Sequence, residues 1–216
     1  MRARTRPRAA RIDVFDDVSF PCAELAARDK ALAAALAAIG RPHIRRREGG
    51  FAGLFRIIVE QQVSVPSAQA IWGRCAARFA PLDPKGVAAA GEEALRCAGL
   101  SAPKARYVLG LATAINCGAF TLETATLDDA AASVSLQTLK GVGPWTAAIY
   151  LLFCEGRLDI WPPNDIALLR AYEAASGRRT QQKRLDSKAV KWAPYRGVAA
   201  HILWTYYAHL RGRAPV

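Results

Sequence analysis

No uninterrupted apolar run in the chain is long enough to cross a membrane. Of its 216 residues, 52% are hydrophobic, yet the alanine-rich stretch from Ala31 to Ile39 falls well short of the roughly 20 residues a spanning helix needs. Nothing apolar follows the basic start Met1-Arg2-Ala3-Arg4-Thr5-Arg6-Pro7-Arg8, so a secretory signal is not expected. Residues 1–20 read instead as a cytosolic, partly disordered basic tail, with a mitochondrial presequence as the competing reading. The five cysteines, Cys22, Cys75, Cys97, Cys117 and Cys154, are odd in number and none pairs at metal-ligand spacing. Mostly buried free thiols in a reducing compartment are the expectation. His43, His201 and His209 are too scattered for a metal triad. Strand alternation is missing too, because Ile57-Ile58-Val59 and Ile160-Trp161 are too short or fall in helical phase. There is no internal repeat and no low-complexity segment beyond the alanine-rich stretch.

What the chain does have is positive charge and helical periodicity. Thirty basic against 18 acidic residues give a formal charge of +12, a balance that favours a polyanionic partner. The length suits one domain or two small lobes with a sizeable core. Ala23 to Ile39 is rich in alanine and leucine, the best helix formers, and Gly40 closes it. Phe51 to Gln62 places Phe51, Leu54, Phe55, Ile58 and Val59 on one stripe. Pro66 starts a helix through about Phe79, as proline does at a first helical position. Glu92 to Ala98, Pro103 to Asn116, Asp128 to Leu139, Asp165 to Ala175 and Pro194 to Leu210 also read as helices. Trp145 to Cys154 is apolar almost all round, which marks a buried helix. The fold class is all-α.

One segment stands out within that pattern: Leu139-Lys140-Gly141-Val142-Gly143-Pro144-Trp145-Thr146-Ala147, with Asp165 following on a Pro-Pro-Asn-Asp turn. Glycines let a backbone turn tightly and approach a ligand closely. A helix N-terminus presents unpaired N–H groups and a positive dipole end, which suits a phosphate. Gly141 and Gly143, with Thr146 at the start of the next helix, can therefore face one phosphate. A plain helix–helix turn that needs glycine for packing is the alternative. Asp165 admits two roles, a catalytic carboxylate and an ordinary helix N-cap. The expectation is that Asn164 caps and Asp165 faces the chemistry.

Three stretches, Glu60-Gln61-Gln62-Val63-Ser64, the Gly-Val-Gly-Pro-Trp-Thr hairpin with Asp165, and Trp192-Ala193-Pro194-Tyr195-Arg196 leading to Trp204, resemble the helix-hairpin-helix (HhH-GPD) DNA glycosylases. The resemblance is strongest to the bacterial 3-methyladenine DNA glycosylase II (AlkA) type, in a short form, since the region before Phe51 is too small to hold that type's β-rich N-terminal domain. It implies two helical lobes with a DNA-binding cleft over residues 21–216, and hydrolysis of the N-glycosidic bond of alkylated purines in base excision repair. Asp165 matches the position of the catalytic aspartate, whose charge would stabilise a cationic sugar. Trp145 stands where bifunctional relatives carry a lysine nucleophile, so no strand-cleaving lyase step is expected.

Lys140 stands where many relatives have proline, and adds a cation beside the glycines. The resemblance also places a monovalent cation, Na+ or K+, on the backbone carbonyls of Gln137, Leu139 and Val142. No other cofactor is expected, and no iron–sulfur cluster, because no cysteine follows Cys154. Gln62 falls at the position of the side chain that fills the gap left by a flipped base; a polar helix end is its other reading. Trp204 matches the base-stacking tryptophan. On a helical wheel it lies about 200° from Ile202 and Tyr206, on a face shared with Gly197, Ala200, His201 and Ala208, which are mostly small, although a second core face is the alternative. Trp145, Ile149, Tyr150 and Trp161 are further candidates for the base pocket. The expected partner is damaged double-stranded DNA, bound by a monomer in a bacterial cytoplasm. Excision of uracil, mismatched or oxidised bases, and a noncatalytic DNA-binding module, are the competing functions.

Overall fold

A computed structural model describes residues 11, 12 and 18–214. Among these the regular structure is helical, apart from an isolated bridge between Arg11 and Arg157, in line with the all-α expectation. In chain order the helices are α1 (Ser19–Arg28), α2 (Lys30–Ile39), α3 (Gly50–Glu60), α4 (Val65–Arg78), α5 (Pro84–Cys97), α6 (Ala102–Asn116), α7 (Asp129–Gln137), α8 (Pro144–Ile149), α9 (Ile166–Ser176), α10 (Gln182–Ala189) and α11 (Arg196–Leu210). A π-helical segment, Tyr150–Cys154, follows α8, and a 3-10 turn, Val190–Trp192, follows α10. The chain divides into two compact units, Met1–Arg46 with Leu151–Val216, and Arg47–Tyr150.

In the first unit α11 packs on α2 and α9, and α1 on α2. The unbroken helix expected from Ala23 to Ile39 is two helices, because Asp29 is extended (φ −143°) and divides them. Its Oδ1 accepts from Ala31 N–H at 2.8 Å, capping α2. Its Oδ2 accepts from Trp192 Nε1–H at 3.2 Å and pairs with Lys188 Nζ at 3.1 Å. Helix propensity alone would carry the chain through this position; the buried carboxylate with three partners stops it. Of the tail expected over residues 1–20, residues 1–10 and 13–17 lie outside the described residues. Ile12 is fully buried and donates to Gly156 O at 2.7 Å, Val18 is buried, and α1 begins at Ser19.

The second unit is built on α3, whose predicted stripe Phe51, Leu54, Phe55, Ile58 and Val59 is buried throughout. Ser64 caps α4 with Pro66 in its first turn. Asp83 caps α5 by accepting from Gly86 N–H at 2.8 Å, so this helix starts well before the expected Glu92 and bends at Gly91 (φ +77°). The cysteines depart from expectation. All five are free thiols, but only Cys22 and Cys75 are buried, and burial pushes both pKa values up to about 11. Cys97 and Cys117 are exposed.

Candidate functional site

The hairpin lies wholly within the second unit, between α7 and α8. Asp128 caps α7 at Ala131 N–H, and the turn tightens where Val142 N–H donates to Leu139 O at 3.1 Å. The two glycines differ in what they are for. Gly141 is left-handed (φ +88°), and a Cβ there would lie 2.3 Å from Cγ and Cδ2 of Tyr107. The fold itself requires glycine at that position. Gly143 has φ −90° and ψ 179°, a conformation open to any residue, and nothing stands within 4 Å of an added Cβ. Gly143 is also exposed, so the space its missing side chain leaves faces outward.

A groove of about 650 Å³ runs along this turn. The hairpin residues Gln137 and Leu139 to Gly143 form one side of its lining, and Gln61, Gln62, Lys104 and Tyr107 contribute to the rest. The structure therefore brings together the predicted Gln62, Lys140, Gly141, Val142 and Gly143, with Lys140 and Gln62 exposed. Gln62 follows α3 in a left-handed conformation (φ +52°), which is uncommon outside glycine.

Thr146 lies in the first turn of α8. Its side chain is buried, and Oγ1 accepts from Gln61 Nε2–H at 2.9 Å. The same Nε2 donates to Gly141 O at 3.0 Å. Lys104 Nζ donates to Val59 O at 2.7 Å and to Gln61 O at 2.5 Å, and desolvation lowers its pKa. Nothing in the sequence separates Gln61 from its neighbour Gln62, and Lys104 carries no local signal among 30 basic residues. Of the other candidates in this unit, Trp145 is half-buried, while Ile149 and Tyr150 are buried. The Tyr150 hydroxyl accepts from Gly50 N–H at 3.0 Å.

In the first unit, Asp165 is itself the N-cap of α9. Its Oδ1 accepts from Leu168 N–H at 3.0 Å. Asn164, expected to cap, sits instead in the left-handed region (φ +59°) and turns the chain into the helix. Asp165 is buried, at 8% exposure, and the cap fixes the direction of its carboxylate. Asp159, the other acid near the Trp-Pro-Pro turn, is held by Arg196, with Nε to Oδ1 at 2.8 Å and Nη2 to Oδ2 at 2.9 Å.

Trp204 sits in a packed cluster at 5% exposure. Its ring meets Phe153 edge-on at 5.3 Å and His201 at 5.8 Å, and the Arg45 guanidinium lies 5.3 Å from its centroid. The strap carrying Arg45 is pinned across α11, where His43 N–H donates to Thr205 Oγ1 at 2.9 Å. Arg46 Nη1 donates to Phe153 O at 2.8 Å. Burial, with Arg45 nearby, brings the His201 pKa down to about 3, so the imidazole is neutral at pH 7. The small face expected around Trp204 is not open. Gly197 is enclosed, since a Cβ there would lie 2.6 Å from Leu152 Cδ2 and 2.7 Å from Leu158 O. Trp161 belongs to another cluster. It meets Trp192 edge-on at 5.4 Å and donates from Nε1 to Asp186 Oδ1 at 2.9 Å. Among the described residues no group of three or more His, Cys, Asp or Glu side chains is placed to hold a metal ion.

Known proteins resemble this chain in sequence and in fold. The chain is 28% identical over 160 residues to DNA-3-methyladenine glycosylase 2 of Escherichia coli, covering 69% of this chain and 55% of that protein. It is 35% identical over 74 residues to a probable bifunctional transcriptional activator/DNA repair enzyme AlkA of Mycobacterium tuberculosis, covering 34% of this chain and 15% of that protein. The chain thus spans about half the length, or less, of these curated relatives. Among solved structures, DNA-3-methyladenine glycosidase of Bacillus halodurans superposes with a TM-score of 0.77 at 27% identity, covering 92% of this chain and 94% of that one. The 3-methyladenine DNA glycosylase of Schizosaccharomyces pombe, solved with abasic DNA, gives 0.76 at 23% identity over 87% and 96% of the two chains, a likeness of fold. Residues 55–194 match the family described as HhH-GPD superfamily base excision DNA repair protein. That match spans the hairpin, Asp165 and the Gln61–Lys104 network, and the chain belongs to the HhH-GPD superfamily.

Proposed function

We propose that the protein is a monofunctional DNA glycosylase that hydrolyses the N-glycosidic bond of alkylated purines of the 3-methyladenine type in double-stranded DNA. The observation that carries the DNA-binding part is Gly143. Neither its backbone angles nor its neighbours within the chain call for glycine, so its bare backbone serves something that approaches from outside. A phosphate at the start of α8 fits, given N–H groups there and a chain of formal charge +12. Lys140, exposed beside it, adds attraction for the same polyanion.

Asp165 is the residue proposed to act on the sugar. As the C1′–N bond breaks, the electron pair leaves with the base and C1′ becomes cationic. A fixed carboxylate stabilises that charge electrostatically. Water then bonds to C1′ and loses its proton, with Asp165 as the acceptor. An alkylated purine bearing positive charge leaves as a neutral base, so no general acid is required. Trp145 offers an indole where an amine would be needed for attack on the sugar, and the product is an intact strand with an abasic site.

Trp204 is the proposed stacking ring. Its face already carries the Arg45 guanidinium. A cationic base that takes that place restores the cation–π contact it removes, whereas a neutral base does not. Gln62 is the proposed filler of the vacated stack. Gln137, Leu139 and Val142 border one groove and offer neutral carbonyl oxygens, the donor type that suits a hard cation. Na+ or K+ held there would add positive charge beside a phosphate. The reading is tested by incubating the protein with methylated duplex DNA and resolving the free bases by chromatography. Release of 3-methyladenine with no strand scission supports it, and the absence of any released base contradicts it.

A further inference from the structure

We infer that Gln61 and Lys104 are positioning residues that lock the turn carrying Gln62 to the hairpin, so that the phosphate grip sets where Gln62 enters the duplex. The inference rests on the glycosylase reading above, but its geometry lies entirely within the second unit. The last turn of a helix leaves carbonyls without intrahelical donors. At the end of α3 the Lys104 ammonium, from the first turn of α6, donates to two carbonyls there, Val59 O and Gln61 O. A cation at the carbonyl end of a helix is favourable on both hydrogen-bonding and dipole grounds.

The Gln61 side chain then leaves the helix and donates from one nitrogen to both sides of the hairpin. Gly141 O belongs to the turn, and Thr146 Oγ1 to the first turn of α8. A carbonyl can only accept, so the Gly141 contact fixes which way the amide points. Gln62, one residue on, is exposed and held at φ +52°. A glutamine keeps such a conformation only where its surroundings over-determine it, and here the main chain before it is anchored by Lys104 and its neighbouring side chain by the hairpin. A shift of the hairpin on a phosphate is therefore transmitted to Gln62 through a single amide. Two of the three Lys104 protons are committed to carbonyls, which makes a role through DNA phosphate secondary.

The test uses the full-length chain with Gln61→Met and Lys104→Met. Each removes the donors while keeping an unbranched side chain. Single-turnover base release is measured on a duplex with one 7-methylguanine paired with cytosine, and on the same lesion in a one-nucleotide bulge, where flipping is already easier. Fluorescence of a 2-aminopurine beside the lesion reports unstacking on binding, without requiring chemistry. We expect release from the paired site to fall about tenfold, and from the bulged site by less than about twofold, at a rate scale of tenfold per 1.36 kcal/mol. The 2-aminopurine rise should be lost on the paired duplex only, and the salt dependence of binding should match the wild type.

Equal losses on both substrates, or wild-type rates on both, would overturn the inference. So would a log–log salt slope shallower by about 0.9, which would make Lys104 a phosphate contact. Should Lys104→Met not fold, Gln61→Met carries the test, since it leaves the Lys104 contacts to the end of α3 in place. If the wild-type protein releases no base from either duplex, the glycosylase reading fails, and the 2-aminopurine signal still decides the positioning role.

Discussion

Gly141 and Gly143 sit two residues apart in the same turn, and the structure assigns them opposite behaviour on substitution by alanine. At Gly141 the left-handed backbone costs alanine about 1–2 kcal/mol. The new Cβ also meets Tyr107 at 2.3 Å, and forcing such a contact costs roughly a further 1–3 kcal/mol. For a chain of this size each kcal/mol moves the melting temperature by roughly 2–4 °C, so Gly141→Ala should melt roughly 4–20 °C below the wild type. At Gly143 the angles suit alanine and the space is open. Restricting the unfolded chain there stabilises by about 0.4–1 kcal/mol, a rise of roughly 1–4 °C.

DNA affinity should move the other way. If Gly143 is bare so that a phosphate can approach, a methyl group there displaces one charge-assisted hydrogen bond, worth roughly 1.5–3 kcal/mol, or about tenfold to a hundredfold in Kd. The log–log salt slope should fall by about 0.9 with the lost phosphate. Thermal melts, and fluorescence-anisotropy titrations over a salt range of roughly 50–300 mM, measure both quantities. A Gly143→Ala protein that is as stable as the wild type and binds DNA equally well, with an unchanged slope, would refute the assignment of this glycine to an outside ligand.

Borohydride added during base release should trap no covalent protein–DNA adduct, because Trp145 cannot form the imine a lysine would; a trapped adduct on the gel contradicts this. His201 predicts an acid sensitivity. Its folded-state pKa of about 3 lies below the unfolded value of 6.5, so between these pH values the unfolded chain binds the extra proton. Stability from this group is fully present above about pH 6.5 and is lost as pH falls toward 3. Denaturant midpoints of His201→Gln should depend less steeply on pH over that window than those of the wild type, and parallel curves would contradict the assignment.

Much of the fold is legible in the sequence because it is local. The stripe of α3, the helix begun by Pro66, and the hairpin glycines all follow from spacing and backbone chemistry. What escapes is set by distant partners. Asp29 interrupts an alanine-rich helix because Trp192 and Lys188 meet its carboxylate. Helix α10 is polar enough that only Leu185 and Ala189 are buried, too few for a visible stripe. At the site, the pattern singles out Asp165 but misassigns the cap, since only the φ of Asn164 and the bond to Leu168 N–H separate the two residues. The helical wheel isolates Trp204 but not the Arg45 that covers it, because a strap from elsewhere in the chain brings that cation in. Gln61 and Lys104 are invisible for the same reason.

Asp165→Asn in single-turnover base release from methylated DNA tests the central claim most directly. Asparagine caps a helix about as well as aspartate, so the bond to Leu168 N–H and the melting temperature should survive. Only the negative charge is removed. The account predicts release slowed by about 10²–10³-fold or more, the scale of losing one preorganised electrostatic contact, with DNA affinity equal or higher. If the Asp165→Asn variant releases alkylated purines within about threefold of the wild-type rate, Asp165 serves the helix and not the reaction.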